Sequence, residues 1–227
     1  MTQVNLSMPQ QSHFPRCNPS SKLGTGLYAI TDGPREDLLA VVRAALEGGA
    51  AMLQYRDKTR DADRRLCEAR ALASLCGGFH APLIINDDVE LARASGAAGV
   101  HLGEGDAGVA DARAVLGTDA IIGVSCYDSL QRARAATQAG ADYLAFGAFF
   151  PSTTKPGARH ARPDLLREAR GFGLPLVAIG GVTHENGGSL IAAGADFLAV
   201  IAALFSARDV RAAAQRLAAL FNLRNMA

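Results

Sequence analysis

The residues best suited to chemistry form a short charged run, Gln54–Lys58, directly after the apolar segment Ala51–Leu53. An apolar segment of this kind predicts a β-strand, in which successive side chains alternate between two faces. Gln54, Arg56 and Lys58 are therefore expected on one face, where an amide and two cations can donate hydrogen bonds together. A strand end that collects several donors is suited to holding an anion, and phosphate is the best match.

Carboxylates follow the next two predicted strands. Asp87 comes directly after Leu83–Asn86, and Asp106 lies shortly after Gly99–Leu102. If these strands are neighbours in a barrel, the two carboxylates could converge and bind Mg²⁺, which takes a few protein oxygens together with waters and substrate phosphates. The alternative is that Asp87 or Asp88 caps the following helix, and for Asp88 alone the cap is favoured.

Hydroxyl groups and a further cation follow the fifth and sixth predicted strands. Ser125 ends Ile121–Ser125, but the sequence has no Gly-x-Ser-x-Gly elbow, which argues against a nucleophilic serine. The loop Ser152–Gly157 carries three hydroxyls and the ammonium of Lys155, and it is framed by proline and glycine. Such a loop could clamp an anion. The alternative is a flexible polar loop. His101, inside a strand, is expected to be a packed, hydrogen-bonded core residue.

Backbone groups are the candidates after the last two predicted strands. Gly180-Gly181 follows the seventh strand and Ile201-Ala202 the eighth. In TIM barrels the loops after these strands commonly bind phosphate through backbone N–H groups.

The elements that must position these residues alternate along the chain. Eight mostly apolar segments are the predicted strands: Leu27–Thr31, Ala51–Tyr55, Leu83–Asn86, Gly99–Leu102, Ile121–Ser125, Tyr143–Phe146, Leu176–Ile179 and Phe197–Ile201. Continuous apolar strands are typical of parallel sheets buried on both faces. Helical patterns lie between them, such as the stripe Leu38, Val41, Val42, Ala45 and Leu46. Eight alternating units predict a single-domain α/β fold, the TIM (β/α)8 barrel, over a doubly wound open sheet.

A weak repeat supports this prediction. Gly-Ala pairs begin at Gly49, Gly96, Gly140 and Gly194, each between a predicted helix and an even-numbered strand. Glycine can supply the left-handed conformation that ends a helix. The pairs are therefore expected to mark every second β/α unit.

Composition restricts the classes of protein. The 227 residues carry a formal net charge of +1 and are 49% hydrophobic, which indicates a sizeable core and no nucleic-acid footprint. No apolar run approaches the roughly 20 residues of a transmembrane helix. Residues 1–25 are rich in Pro, Gln, Ser and Asn and are interpreted as a disordered or loosely ordered leader to a barrel at 26–227. Four scattered cysteines predict reduced thiols and a cytoplasmic protein.

The motifs, in this order and spacing, resemble the thiamine-phosphate synthase family from about Leu27 to Phe205. The stretches that carry the resemblance are Gln54–Lys58, Leu83–Asp87, Gly99–Gly103, Ile122–Ser125, Ser152–Lys155 and Ala178–Val182. The resemblance implies a Mg²⁺-dependent transferase that joins hydroxymethylpyrimidine diphosphate to a thiazole ethyl phosphate, giving thiamine phosphate and pyrophosphate. In the family, pyrophosphate leaves first and the thiazole nitrogen captures a pyrimidinylmethyl cation.

The resemblance also implies roles for individual residues. The residues that bind the pyrimidine diphosphate would be Gln54, Arg56, Lys58, Asn86, Ser125 and Lys155. Of these, the ones with a catalytic role would be Arg56, Lys58, Ser125 and Lys155. The Mg²⁺ ligands would be Asp87 and Asp106. The residues that bind the thiazole phosphate would be Ser152, Thr153, Thr154, Gly181, Ile201 and Ala202.

Three positions depart from the family pattern. Glu104 stands where glutamine is frequent, Ser152 where threonine is usual, and Ala202 where serine is usual. The last change removes a hydroxyl contact but keeps a backbone N–H.

Other functions remain alternatives. They are a related thiazole tautomerase or a non-catalytic phosphate-binding barrel, a phosphosugar isomerase or epimerase, and a ligand-binding regulatory protein. An isomerase should show an acid/base pair, which the sequence lacks. The expected partners are the two small-molecule substrates, without nucleic acid or membrane, and a homo-oligomer is left open.

Overall fold

The computed structural model of the protein describes residues 23–151 and 160–222. In this part of the chain eight parallel strands close into a barrel, in which each strand pairs with its neighbours in the sequence and β1 also pairs with β8. The strands are β1 (Gly26–Ile30), β2 (Ala50–Tyr55), β3 (Leu83–Asn86), β4 (Gly99–Leu102), β5 (Ile121–Tyr127), β6 (Tyr143–Phe146), β7 (Leu176–Ile179) and β8 (Phe197–Val200). The closed barrel confirms the predicted TIM fold and excludes the open sheet.

Helices follow the strands on the outside of the barrel. They are α1 (Leu38–Glu47), α2 (Ala62–Gly78), α3 (Val89–Ser95), α4 (Val109–Leu116), α5 (Leu130–Gln138), α6 (Asp164–Ala169), α7 (Gly187–Ala193), α8 (Ala202–Phe205) and α9 (Val210–Asn222). None of these described helices is long and apolar enough to cross a membrane.

The core has two layers, because each strand sends alternate side chains to opposite faces. Inside the barrel lies a cluster that includes Tyr28, Met52, Ile84, Tyr143 and Phe197. A larger cluster fills the space between the strands and the surrounding helices. Both faces of the strands are thus buried, which explains their continuous apolar sequences.

The predicted helix ends are also observed. Gly49, Gly96, Gly140 and Gly194 have φ angles of 95°, 71°, 91° and 114°. These left-handed conformations favour glycine and stop each helix just before an even-numbered strand. The Gly-Ala pairs therefore mark every second unit of the barrel, as the repeat predicts.

Two strand boundaries differ from the predictions in ways that bear on function. β5 continues to Tyr127, with a register shift between Ser125 and Tyr127, so Ser125 lies inside the strand and does not end it. β8 ends at Val200, and Ile201 is the N-cap residue of the short helix α8. Apolar character continues through Ile201 although the backbone turns there, and hydrophobicity alone could not locate the turn.

Candidate active site

The loop after β2 is held in place from its outer side. Tyr55 and Asp57 point away from the barrel interior, as strand alternation predicts. The Tyr55 hydroxyl donates to Glu68 at 2.6 Å, and the Arg64 guanidinium donates to Asp57 at 2.6 Å. The backbone N–H of Thr59 also donates to Asp57, at 2.7 Å. These bonds fix the segment that carries Arg56 and Lys58.

The pKa shifts of Asp57 and Tyr55 agree with these contacts, which we call the brace of the loop after β2. Burial alone would raise the pKa of Asp57, but the Thr59 backbone N–H and the Arg64 guanidinium outweigh burial and lower it. Burial and the adjacent Glu68 carboxylate raise the pKa of Tyr55, so its hydroxyl stays protonated and donates. Asp57 is therefore a structural anion in the middle of the charged run.

The other three residues of the run reach different depths. The Gln54 side chain is only 2% exposed, and its Nε2 donates to the Tyr28 hydroxyl at 2.7 Å inside the barrel. Arg56 is half-buried, and its backbone N–H donates to Thr31 Oγ1 at 2.8 Å. Lys58 is exposed at the mouth of the barrel. The run thus extends from the barrel interior to the surface.

Lys58, Asp87 and Asp106 converge above β2, β3 and β4, and for the two carboxylates this is the convergence that the sequence predicts. Lys58 Nζ lies 2.7 Å from Asp87 Oδ2, and the Asp87 carboxyl interacts with the Asp106 carboxyl and with the Asn86 side-chain amide. Asp106 also accepts the Gly103 backbone N–H at 2.5 Å. We call Lys58, Asp87 and Asp106 the acidic–lysine cluster.

The backbone aims Asp87 at the mouth. Its φ angle is 64°, in the left-handed region that aspartate tolerates better than most residues, and its N–H donates to the His101 carbonyl at 2.8 Å. Asp88 instead turns outward, where its carboxylate accepts the Leu91 backbone N–H at 2.9 Å as the N-cap of α3. The structure confirms the capping role that the sequence favours for Asp88.

The two carboxylates of the cluster titrate differently. Burial raises the pKa of Asp106, and the neighbouring Asp87 carboxylate raises it further, chiefly through a hydrogen bond with protonated Asp106 and also through repulsion between the two negative charges. Burial opposes ionisation of Asp87 too, but hydrogen bonds from Lys58 and Asp106 outweigh it and lower its pKa.

The donor set at this position fits Mg²⁺. Two adjacent carboxylates crowd negative charge that a divalent cation would neutralise, and hard oxygen ligands suit that ion. Within residues 23–151 and 160–222, no three His, Cys, Asp or Glu side chains gather into a metal site. Two protein carboxylates leave coordination positions for phosphate oxygens and water, which is the arrangement Mg²⁺ commonly adopts.

Two buried tyrosines, which the sequence analysis missed, lie below the cluster. Tyr28 and Tyr143 share a hydrogen bond of 2.9 Å between their hydroxyls. His101 Nδ1 lies 2.9 Å from the Tyr143 hydroxyl, and His101 Nε2 lies 2.9 Å from Ser125 Oγ. His101 is thus the packed, hydrogen-bonded residue that the sequence predicts, but its partners include a candidate site residue. The signal available in the sequence was one tyrosine in each of two otherwise apolar strands, β1 and β6.

Arg132, in α5, is a second residue that the sequence analysis missed. Its Nε donates to the Ser125 carbonyl at 2.6 Å, and one terminal nitrogen donates to the Gly103 carbonyl at 2.9 Å. The guanidinium also lies 5.6 Å from the centre of the Tyr127 ring. Arg132 therefore ties the end of β5 to the loop that carries Asp106.

Arg132 also accounts for Glu104, the residue that departs from the family pattern. A terminal nitrogen of Arg132 lies 3.9 Å from a Glu104 carboxylate oxygen, and the Glu104 side chain is 73% exposed. Glu104 therefore faces Arg132 and solvent.

The opposite side of the barrel mouth is formed by backbone groups of the Gly181 turn and of the start of α8. Gly181 has a φ angle of 61°, and a Cβ atom there would lie 2.8 Å from Phe150 Cβ and overlap the Pro151 carbonyl. The Asn186 side chain donates to the Gly181 carbonyl at 3.0 Å, which holds the turn. Ile201 and Ala202 begin α8 beside it, where the first N–H groups of a helix have no acceptor within the helix. Of the predicted site residues, Ser152, Thr153, Thr154 and Lys155 lie outside the described residues.

Comparisons with known proteins agree with this arrangement. The sequence profile of the family described as "Thiamine monophosphate synthase" matches residues 27–204. A curated thiamine-phosphate synthase of Marinobacter nauticus is 54% identical over 200 residues, which cover 86% of this chain and 90% of that protein. One of Nitrosococcus oceani is 56% identical over 193 residues, covering 83% of this chain and 89% of that protein.

A solved structure is similar as well. A thiamine phosphate pyrophosphorylase from Pyrococcus furiosus superposes with a TM-score of 0.80 at 34% identity, covering 91% of this chain and 97% of that one. The family match spans most of the sequence, and the resemblance seen in the motifs is confirmed. The chain belongs to the thiamine monophosphate synthase family.

Proposed function

We propose that this protein catalyses the thiamine-phosphate synthase reaction, a transfer in thiamine biosynthesis, at the mouth of its barrel. The activity rests on family membership and on 54% identity to a curated synthase. The substrates would be hydroxymethylpyrimidine diphosphate and a thiazole ethyl phosphate. The observation that carries the location is the acidic–lysine cluster, because it combines a cation and two potential metal ligands where a diphosphate can enter.

The reaction breaks one bond and forms another. The C–O bond between the pyrimidine methylene and the diphosphate breaks, and its electron pair leaves with pyrophosphate. The thiazole nitrogen then donates its lone pair to the methylene carbon, forming the C–N bond of thiamine phosphate. This chemistry needs stabilisation of negative charge on the leaving oxygens and no protein nucleophile.

Lys58 and Arg56 would supply that stabilisation from the protein. Lys58 already lies at the mouth, 2.7 Å from Asp87, and can turn to a diphosphate oxygen without leaving the cluster. Asp87 and Asp106 would hold Mg²⁺, which supplies Lewis-acid neutralisation of the diphosphate when bound. Ser125 and Lys155 would add a hydroxyl and an ammonium to the same substrate.

Gln54 would meet a different part of that substrate. Its buried amide lies beneath the cluster and belongs with the pyrimidine ring more than with the diphosphate. Its Nε2 is engaged by Tyr28, so Oε1 is the atom suited to accept from an aminopyrimidine. Asn86 would contact the pyrimidine substrate from β3.

The thiazole phosphate would lie on the opposite side. Gly181, Ile201 and Ala202 can offer backbone N–H groups, and the close approach of Gly181 to Phe150 and Pro151 leaves room for no side chain. Ser152, Thr153 and Thr154 would complete this subsite from the loop after β6. A reactive nitrogen held between the two subsites would face the methylene carbon.

The rival functions fit the cluster less well. A thiazole tautomerase or a non-catalytic barrel does not handle a diphosphate, and has no use for Lys58 together with Asp87 and Asp106. A phosphosugar isomerase would share the phosphate subsite but not this cluster. We place the reaction in the cytoplasm, in keeping with the free thiols of Cys67, Cys76 and Cys126.

The test is a product assay with purified protein, both substrates and Mg²⁺. Thiamine phosphate and pyrophosphate should form in equal amounts, and excess chelator should stop the reaction until Mg²⁺ is restored. Absence of product from folded protein that binds both substrates would refute the proposal.

A further inference from the structure

An unbroken series of hydrogen bonds, buried except for the part-buried last one, crosses the barrel from Gln54 to Ser125. Gln54 Nε2 donates to the Tyr28 hydroxyl at 2.7 Å, and Tyr28, Tyr143, His101 and Ser125 follow at 2.9 Å each. The three middle side chains, which we call the Tyr–His relay, come from β1, β6 and β4. Its ends are two residues that would touch the pyrimidine substrate.

With a neutral imidazole and every hydroxyl proton of the relay used within the series, the protons have two possible orders, because each tyrosine hydroxyl has a single proton. If Gln54 donates to Tyr28, then Tyr28 donates to Tyr143 and Tyr143 donates to His101 Nδ1. The imidazole proton then lies on Nε2 and is donated to Ser125 Oγ. In the reverse order Ser125 donates to Nε2, the imidazole proton lies on Nδ1, and Gln54 Oε1 accepts from Tyr28.

The two orders give the site opposite properties. In the first order Gln54 Oε1 can accept from an amino group, and the Ser125 proton can be donated to an anion. In the second order Gln54 offers N–H groups. The Ser125 proton is then donated to His101 Nε2 inside the barrel and is not available to the substrate. An aminopyrimidine diphosphate carries a donor amino group and acceptor phosphate oxygens, so only the first order matches both ends.

We propose that the Tyr–His relay holds His101 as the Nε2–H tautomer and thereby directs the Ser125 hydroxyl proton toward the substrate. The match to an aminopyrimidine diphosphate rests on the proposed function, whereas the tautomer is a property of the free protein. Tyr28, Tyr143 and His101 are positioning residues that act through Gln54 and Ser125.

The packing around the relay is built for this arrangement. A Cβ atom at Gly123 would overlap the Tyr143 ring, so a residue without a side chain makes room for it. The rings of His101 and Tyr143 stack with their centres 5.6 Å apart. Burial raises the pKa of both tyrosines, which keeps both hydroxyl protons in place.

The direct test is ¹⁵N NMR of the histidine side chains in the substrate-free protein, with His101 assigned by its loss in His101→Asn. The expected signature is a protonated Nε2 and an unprotonated Nδ1. A proton on Nδ1, or on both nitrogens, would overturn the proposal. This measurement decides the tautomer even if the protein makes no thiamine phosphate.

Two conservative variants separate positioning from packing. Tyr143→Phe removes the donor to His101, so the tautomer preference should be lost and kcat should fall about tenfold, the size expected for a supporting residue. Tyr28→Phe breaks the series before Tyr143 but keeps the Tyr143 proton, so it should weaken the preference for the Nε2–H tautomer less than Tyr143→Phe does. An unchanged tautomer in Tyr143→Phe would contradict the proposal.

A double variant completes the test. If the relay acts through the hydroxyl of Ser125, Tyr143→Phe should lower kcat no further in a Ser125→Ala background. Full additivity of the two effects would show that Tyr143 acts independently of Ser125, which also overturns the proposal.

Discussion

The two sides of the barrel mouth are built from different chemistry. Above β2 to β4, charged side chains meet in the acidic–lysine cluster. Around β7 and β8, the surface is glycine backbone and the start of a short helix, with Gly181 too crowded for any side chain. The first side suits a leaving diphosphate, whose developing charge needs cations and a metal. The second suits a phosphate that is held but does not react, for which backbone N–H groups are sufficient.

The largest effect is expected from the charged side. Asp87→Asn removes a negative ligand oxygen beside Lys58 and should lower kcat/KM for the pyrimidine diphosphate about 10³-fold, the upper end for one charge-stabilising group. The matched control is Asp88→Asn, one residue away, because asparagine can still cap α3. Steady-state assays at saturating Mg²⁺ measure kcat/KM for both variants. Equal activity of the two variants would show that Asp87 is not a site residue.

The next effect tests how the charged side is held. Arg132→Ala removes the bonds to the Ser125 and Gly103 carbonyls and should lower kcat about tenfold, as loss of a supporting residue commonly does. Arg132→Lys should not restore activity, because an ammonium cannot reproduce the guanidinium geometry. Arg134→Ala, at an exposed position in the same helix, serves as the control. Full activity of Arg132→Ala would show that Arg132 does not support the charged side of the mouth.

A smaller and more selective effect is expected on the backbone side. Gly181→Ala forces a Cβ atom against Phe150 and Pro151 at a φ angle of 61°. The KM for the thiazole phosphate should rise several-fold to about tenfold, by roughly 1 kcal/mol of binding, while the KM for the pyrimidine diphosphate stays unchanged. Gly188→Ala, in α7 where a Cβ atom meets open space, should change neither value. A rise in the pyrimidine KM alone would reverse the assignment of the two sides.

The smallest effect on turnover is expected from the brace behind the charged side. The folded-state pKa of Asp57 is lowered, so its contribution to stability is present above its unfolded pKa of about 4 and is lost as pH falls through the folded value. Asp57→Asn should therefore lower the free energy of unfolding by about 2 kcal/mol at pH 7 and by less at pH 3. Urea unfolding at both pH values measures this difference, and a constant difference would contradict the ionic origin.

These two sides also differ in how far the sequence could predict them. Lys58, Asp87 and Asp106 are recognisable by residue type at strand ends, and strand order alone brings them together. Gly181 and Ala202 offer backbone groups, so they could be singled out only through their place in the expected barrel and the family resemblance. Ile201 shows the limit, since hydrophobicity assigned it to a strand that ends one residue earlier.

The contacts made by the supporting residues could not be predicted from sequence patterns. Arg132 contacts Ser125 and Gly103 only after α5 packs beside β5 and β6. Tyr28 and Tyr143 are separated by 115 residues, and their hydroxyls meet only because β1 and β6 face each other across the barrel. Such contacts depend on closure of the barrel, whereas the charged motif depends on local spacing.

The most direct test of the two-sided site is equilibrium binding of inorganic pyrophosphate, measured by calorimetry in the presence of Mg²⁺. Lys58→Ala should weaken binding at least about tenfold, the loss of one charge-assisted contact of roughly 1.5 kcal/mol. Gly181→Ala should bind pyrophosphate like the wild-type protein. Unchanged binding by Lys58→Ala, or equal weakening by the two variants, would contradict a diphosphate site confined to the charged side.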